Sequence, residues 1–225
     1  MRSLFGARRT GTREGLGGSY ALPVGDDGVS VGDDAEGRAL LLGVHRAAPY
    51  DVLLIGGLWT AQVLALRAGA AGVRVAVETA RAQVWEGRGA TVGAGGAELF
   101  DVGRVPVLGA AEGRPVLVVR DCGMRPPRGR VVRAAWQSVL TLLPYLSPVA
   151  PRLIRGSALV GVQRVSPDEA RRIGGLLGLA PEETDALPGL GDGVTLWCAG
   201  RERHLVTTTT SGDEAALLGP PRRMD

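Results

Sequence analysis

Gly56 and Gly57 separate an apolar run, YDVLLI, from a segment with helical spacing, LWTAQVLALRAGA. A glycine turn at the head of a helix can offer backbone N–H groups and the positive end of the helix dipole to a phosphate. Full phosphate-loop chemistry needs G-x-x-x-x-G-K-[ST], in which the lysine reaches the β/γ-phosphates and the hydroxyl holds magnesium. Here the turn reads GGLWTAQ, and every basic residue of the chain is an arginine. Hydrolysis of ATP by the phosphate-loop route is therefore not expected. The dinucleotide fingerprint G-x-G-x-x-G fits no better, because Leu58, Trp59 and Thr60 follow two adjacent glycines and put bulk where a pyrophosphate must approach. Glu78, closing the run VRVAVE, falls where a ribose-binding acid would stand. These residues keep a nucleotide or nucleotide-sugar at the Gly56-Gly57 turn as an alternative to a plain strand-to-helix turn.

Asp121 ends the run PVLVVRD, at the strand edge where open α/β sheets place ligands. One acid does not make a metal site, and a helix cap or an ion pair with Arg120 or Arg125 is the expected role. Asp26, Asp27, Asp33 and Asp34 stand beside glycines and read as turns. Cys122 and Cys198 lie outside any C-x-x-C spacing, and His45 and His204 have no second ligand at helical spacing, so no metal is expected. No G-x-S-x-G elbow accompanies the serines, which leaves no hydrolase triad and no catalytic residue to assign. Trp59, Trp85, Trp136 and Trp197 are expected as core or interface anchors.

The elements that position these groups follow from periodicity. DVLLI and PVLVVRD are continuous apolar runs, as in strands covered on both faces. Leu58 to Ala71 reads as the crossover helix of a βαβ unit, with Gly72 at its end. RAQVWEGRG reads as a short helix, AELFDV as a strand, and Ala134 to Leu143 and Pro148 to Arg155 as helices. SALVGVQRV reads as a strand. Ser166 to Glu169 and Ser211 to Glu214 match S-x-x-E, the capping box that opens a helix. PEETDAL is a further short helix, and TLWCA with RHLVTTT form a hairpin. The expected fold is α/β, a mostly parallel sheet with helices on both faces, preceded by a small β element. Residues 1 to 18 read as a flexible basic arm and 19 to 225 as one domain, with the β element over 19 to 48 and the α/β core over 49 to 225.

Composition narrows the class. A chain of 225 residues with 45% hydrophobic and 22% charged residues is globular. A net charge of +3, scattered along the chain, gives no nucleic-acid footprint. No uninterrupted apolar stretch is long enough for a membrane span, and the start lacks a secretory h-region, so a cytoplasmic protein is expected.

The stretch from VSVGDDAEG to VETARAQVWEG resembles the cytosolic domain of the EccE-type proteins of actinobacterial type VII (ESX) secretion. The matching positions are Gly32, Asp33, Gly37, Gly57, Ala61, Gln62, Arg67, Gly72, Thr79, Arg81 and Trp85. VGVQRVSPDEARRIGGLLGL also resembles the closing strand, helix and hairpin of secretion and conjugation ATPases. The first resemblance implies a non-catalytic, glycosyltransferase-like α/β domain without cofactors, working through contacts with other secretion proteins. Trp59, Gln62, Arg81 and Trp85 are its candidate interaction residues. The family carries N-terminal transmembrane helices that this sequence does not show, so association with the inner face of the membrane is expected through partners. A homodimer stays open.

Overall fold

The computed structural model describes residues 28–86, 96–124, 127, 129 and 131–222. The arm over residues 1 to 18, Asp26, Asp27 and Arg125 lie outside the described residues. The elements are β1 (Gly28–Asp33), β2 (Ala39–Gly43), β3 (Tyr50–Ile55), α1 (Leu58–Ala70), β4 (Arg74–Thr79), β5 (Ala97–Phe100), β6 (Val116–Asp121) and β7 (Gln137–Leu143). They continue with α2 (Ala150–Gly156), β8 (Leu159–Val162), α3 (Pro167–Leu177), α4 (Pro181–Ala186), β9 (Val194–Ala199), β10 (Glu202–Thr207) and α5 (Gly212–Leu218).

Among the described residues these strands form one sheet, in the order β2-β1-β10-β9-β8-β3-β7-β6-β4-β5. The six strands from β8 to β5 run parallel. The remaining four join antiparallel, and β1 and β2 enter the same sheet through β10. Central strands are buried on both faces, which is why VLVVRD and QSVLTLL read as unbroken runs. One face packs Val52, Leu54, Leu117, Val119, Leu140 and Leu142 under α1. The opposite face packs Leu53, Ile55 and Leu143 under α2 and α3. The fold is thus α/β, mostly parallel, with helices on both faces.

Two segments differ from expectation. Ala134 to Leu143 contains β7 rather than a helix. Its spacing of leucines suits either element, but every residue from Gln137 to Leu143 is buried, as befits a strand between β3 and β6. Trp136, with φ 60, takes the left-handed backbone just before the strand starts. The segment after Arg81 forms a single 3-10 turn over Ala82–Val84 in place of a short helix. Elsewhere α1 ends at Ala70, with Gly72 just beyond at φ 82, and both S-x-x-E boxes open helices as read.

The crossover β3-α1-β4 passes over one face, whereas β7-α2-β8 passes over the other. The crevice at the carboxyl ends of β3 and β7 is therefore a topological switch point, the place where open α/β sheets bind ligands.

Candidate functional site

The head of α1 closes this crevice. Gly56 donates its N–H to the Leu143 carbonyl at 3.0 Å, which ties the turn to the end of β7. Gly57 is the N-cap in extended backbone, and no side chain of its own caps the helix. Its N–H is instead taken by Gln163 Oε1 at 2.7 Å, reaching across from the end of β8. The same amide donates through Nε2 to Thr60 Oγ1 at 2.7 Å and Thr195 Oγ1 at 3.0 Å. Gln163 is 3% exposed, and both ends of its buried amide are hydrogen-bonded. Gly56 makes room for it: a Cβ there would meet Gln163 Oε1 at 2.5 Å.

Asp121 ends β6 on the α1 face, because Leu117, Val119 and Asp121 alternate toward that side. Its carboxylate accepts from Arg81 Nε at 3.0 Å, Arg81 Nη2 at 3.0 Å, Trp85 Nε1 at 2.9 Å and the Gly123 N–H at 3.2 Å. The expected partner Arg120 is one residue away in the strand and points to the opposite face, so it cannot reach. Arg120 instead pairs with Glu78 through Nε and Nη2, and Glu78 also accepts from the Gly103 N–H at 2.7 Å. Glu78 is 1% exposed.

The sequence-derived candidates therefore do not converge. Gly56-Gly57 lies at β3, two strands from Asp121 and three from Glu78, or about 10 and about 14 Å at ordinary strand spacing. Asp121 and Glu78 also face opposite sides of the sheet. Glu78 does not occupy a ribose position beside the turn, because Arg120 and Gly103 hold it three strands away.

Trp59, Gln62 and Trp85 turn inward. Trp59 is 2% exposed and donates its indole N–H to the Gly219 carbonyl at 3.0 Å. Gln62 donates to the Val84 carbonyl at 2.8 Å, which joins α1 to the turn carrying Trp85. Arg81 is the most exposed of the four, and its guanidinium lies on Asp121. Burial pushes the Cys198 thiol up to about 12. Among the described residues no three His, Cys, Asp or Glu side chains converge as metal ligands would.

Gln163 and Thr195 were missed by sequence reasoning. The signal for Gln163 was an amide at the carboxyl end of the buried run LVGV, where a polar side chain must find partners.

No family profile and no curated protein matches the sequence. In fold the chain is similar to VirB4 of Thermoanaerobacter pseudethanolicus, with a TM-score of 0.59, 11% identity, and coverage of 84% of this chain and 98% of that one. It is also similar to the genome packaging NTPase B204 from Sulfolobus turreted icosahedral virus 2 in complex with ATP-gammaS, with a TM-score of 0.51, 10% identity and coverage of 75% and 100%. The same NTPase in complex with sulfate gives 0.50, 9% identity and coverage of 73% and 98%. At these identities the likeness is one of fold.

The expectation of a non-enzymatic component acting only through protein contacts is corrected by this comparison. The fold is shared with VirB4 and with a packaging NTPase solved in complex with ATP-gammaS, not with a protein known only for protein contacts. The likeness found is one of fold, to VirB4 and a packaging NTPase, and it does not by itself show the EccE-type family.

Proposed function

We propose that this chain is a nucleotide-binding protein, an enzyme or sensor built on the VirB4 and packaging-NTPase fold, with its ligand at the carboxyl edge of the sheet beside the Gly56-Gly57 turn. The observation that carries the proposal is the switch-point crevice between β3 and β7, closed by a glycine turn at the head of α1, in a fold shared with an NTPase bound to ATP-gammaS. The residues fit a nucleotide in part. The head of a helix is the end that offers N–H groups to phosphate oxygens, but here Gln163 fills the space beside Gly56 and holds the Gly57 N–H. Leu58 and Trp59 follow the turn where a phosphate loop has lysine and a hydroxyl, so no hydrolytic step is routed through them.

The test is a thermal-shift and equilibrium-dialysis series with ATP, ADP, GTP and a nucleotide-sugar, with and without magnesium. A ligand at a hundred times its Kd stabilises by about 2.7 kcal/mol. Phosphate release in the same samples decides whether binding leads to hydrolysis. A flat response to every compound refutes the proposal.

The setting we infer is cytoplasmic, beside other secretion proteins at the inner face of the membrane. The local EccE-like pattern and the VirB4 likeness support it. Among the described residues no helix is long and apolar enough to cross a membrane, and attachment in this reading comes through partners. Affinity capture from solubilised native membranes should recover secretion components; recovery of none counts against this setting.

A further inference from the structure

We propose that the cavity between α2, α3 and the β8–β9 ladder is a binding site for a small apolar carboxylate, an anion whose body is the size of one ring. The site lies at the amino end of β8, on the opposite edge of the sheet from the Gly56-Gly57 turn, and the inference does not depend on the nucleotide reading. The cavity holds about 200 Å³. A dry cavity of about 150 Å³ is enough to hold benzene, so the space suits a single ring or a short branched chain. Its walls are Ile154 of α2, Val160 of β8, Leu176 and Leu177 of α3 and Cys198 of β9. Ile154, Val160 and Cys198 are buried, whereas Arg155, Ala158 and Gly200 at the rim are exposed. The cavity therefore has an apolar floor and a mouth open to solvent, and the small residues Ala158 and Gly200 leave that mouth clear.

Charge is the second observation. Arg155 lines the mouth, and among the described residues it has no acidic partner. Arg203 stands directly across from Cys198 in the β9–β10 ladder. Its guanidinium donates to the Gly200 and Leu177 carbonyls at 2.9 and 2.8 Å, which holds it against two of the residues that line the cavity, and to the Glu202 carbonyl at 2.7 Å. All of these partners are neutral, so no carboxylate among the described residues matches its charge. Strand alternation turns the Glu202 side chain to the other face of the sheet. Glu183, whose charge also reaches the Cys198 thiol, accepts from the Ala180 N–H at 2.8 Å. Two arginines beside an apolar hollow select an anion with an apolar body: a neutral ring leaves their charge unmatched, and a bare inorganic anion leaves the hollow unfilled. Burial pushes the Cys198 thiol up to about 12, so it is a protonated wall of the site and no covalent step is involved.

The test titrates the wild-type chain with sodium benzoate and with benzamide, followed by the methyl resonance of Ile154 in isoleucine-labelled protein and by calorimetry. Benzoate should shift Ile154 saturably with a Kd of about 1 mM or tighter, and benzamide, with the same shape and no charge, should bind at least about tenfold more weakly. No saturable shift with benzoate overturns the proposal, and equal binding of the two compounds refutes the carboxylate class. Arg155 is exposed at the end of α2, so its variants should fold. Arg155→Glu should weaken benzoate about tenfold, and Arg155→Lys should stay within about threefold of wild type. Unchanged affinity in Arg155→Glu counts against the site. Ala158→Phe closes the mouth and should abolish binding; benzoate bound as before by the folded variant would put it elsewhere and overturn the assignment. If Ala158→Phe fails to fold, the Arg155 pair and the benzamide comparison decide.

Discussion

Replacing Asp121 by asparagine distinguishes a finished structural tie from an acid awaiting a cation. The Asp121 side chain is fully enclosed, at 0% exposure, and Arg81, Trp85, Gly123 and the Thr79 hydroxyl all donate to it. Arg81 supplies two N–H groups at 3.0 Å, Trp85 its indole N–H at 2.9 Å and Gly123 its main-chain N–H at 3.2 Å. Asparagine keeps the shape, removes the charge facing Arg81, and turns an NH2 toward at least one of these donors. Removing one partner of a buried ion pair costs about 3–5 kcal/mol. The Arg81 side chain keeps 21% exposure and can turn toward water, which places the expected loss near the lower figure. For a chain of this size about 3 kcal/mol corresponds to a fall in Tm of roughly 6–12 °C.

The assay is urea unfolding with melting by far-UV circular dichroism, on Asp121→Asn, Arg81→Met and the double variant. Because the two groups share one pair, the double variant should lose clearly less than the two single losses together, with a coupling of about 1 kcal/mol or more. A change within about 0.5 kcal/mol for Asp121→Asn, the range of an ordinary surface substitution, would refute the tie. A gain in stability would refute it more sharply, since it would mean that the carboxylate is under-neutralised and poised for a metal.

Three further outcomes are expected. Gly161→Ala would place a Cβ 2.7 Å from the ring of Trp197, which is fully buried, and should cost about 1–3 kcal/mol in chemical denaturation; near-neutrality would show that the ring can slide. Ser166→Ala removes the hydroxyl that accepts from the Glu169 N–H at 3.3 Å and should destabilise by about 1 kcal/mol, measured by thermal melting, with a negligible change arguing that the cap is idle. Burial lowers the pKa of His204 below its ordinary 6.5, so the folded state prefers the neutral ring, and its contribution is present above 6.5 and lost as pH falls through the lower folded value. Hydrogen bonds from Arg67 lower the pKa of Glu214 below 4.5, so its contribution is present above that pH and lost further into acid. Stability measured by urea unfolding should therefore fall in two acid steps, and His204→Gln should flatten the first while leaving the second.

Local physics made much of the fold legible. The boxes at Ser166 and Ser211 are complete within four residues, and the structure shows each hydroxyl and each carboxylate in place. The runs DVLLI and VLVVRD announced strands covered on both faces, and the TLWCA and RHLVTTT hairpin needed only its own turn. QSVLTLL was not legible in the same way, because burial at every position erases the period that separates a strand from a helix. Its identity depends on β3 and β6 lying on either side.

The sequence by itself determined the α/β class, the crossover unit at Gly56-Gly57 and the absence of a lysine for phosphate-loop chemistry, since each follows from residue type or spacing within one element. Only the tertiary structure decided what the site residues do. Strand alternation sends Arg120 to Glu78 on one face and Asp121 to Arg81 on the other, 40 residues apart in the chain. Gln163 reaches Gly57 across 106 residues, and Thr60 across 103. Such partners are chosen by strand order, which sets β8 beside β3 and β6 beside β4. Hydrogen bonding and burial can specify an element from its own residues, but the order of elements in a sheet is fixed by the packing of the whole chain.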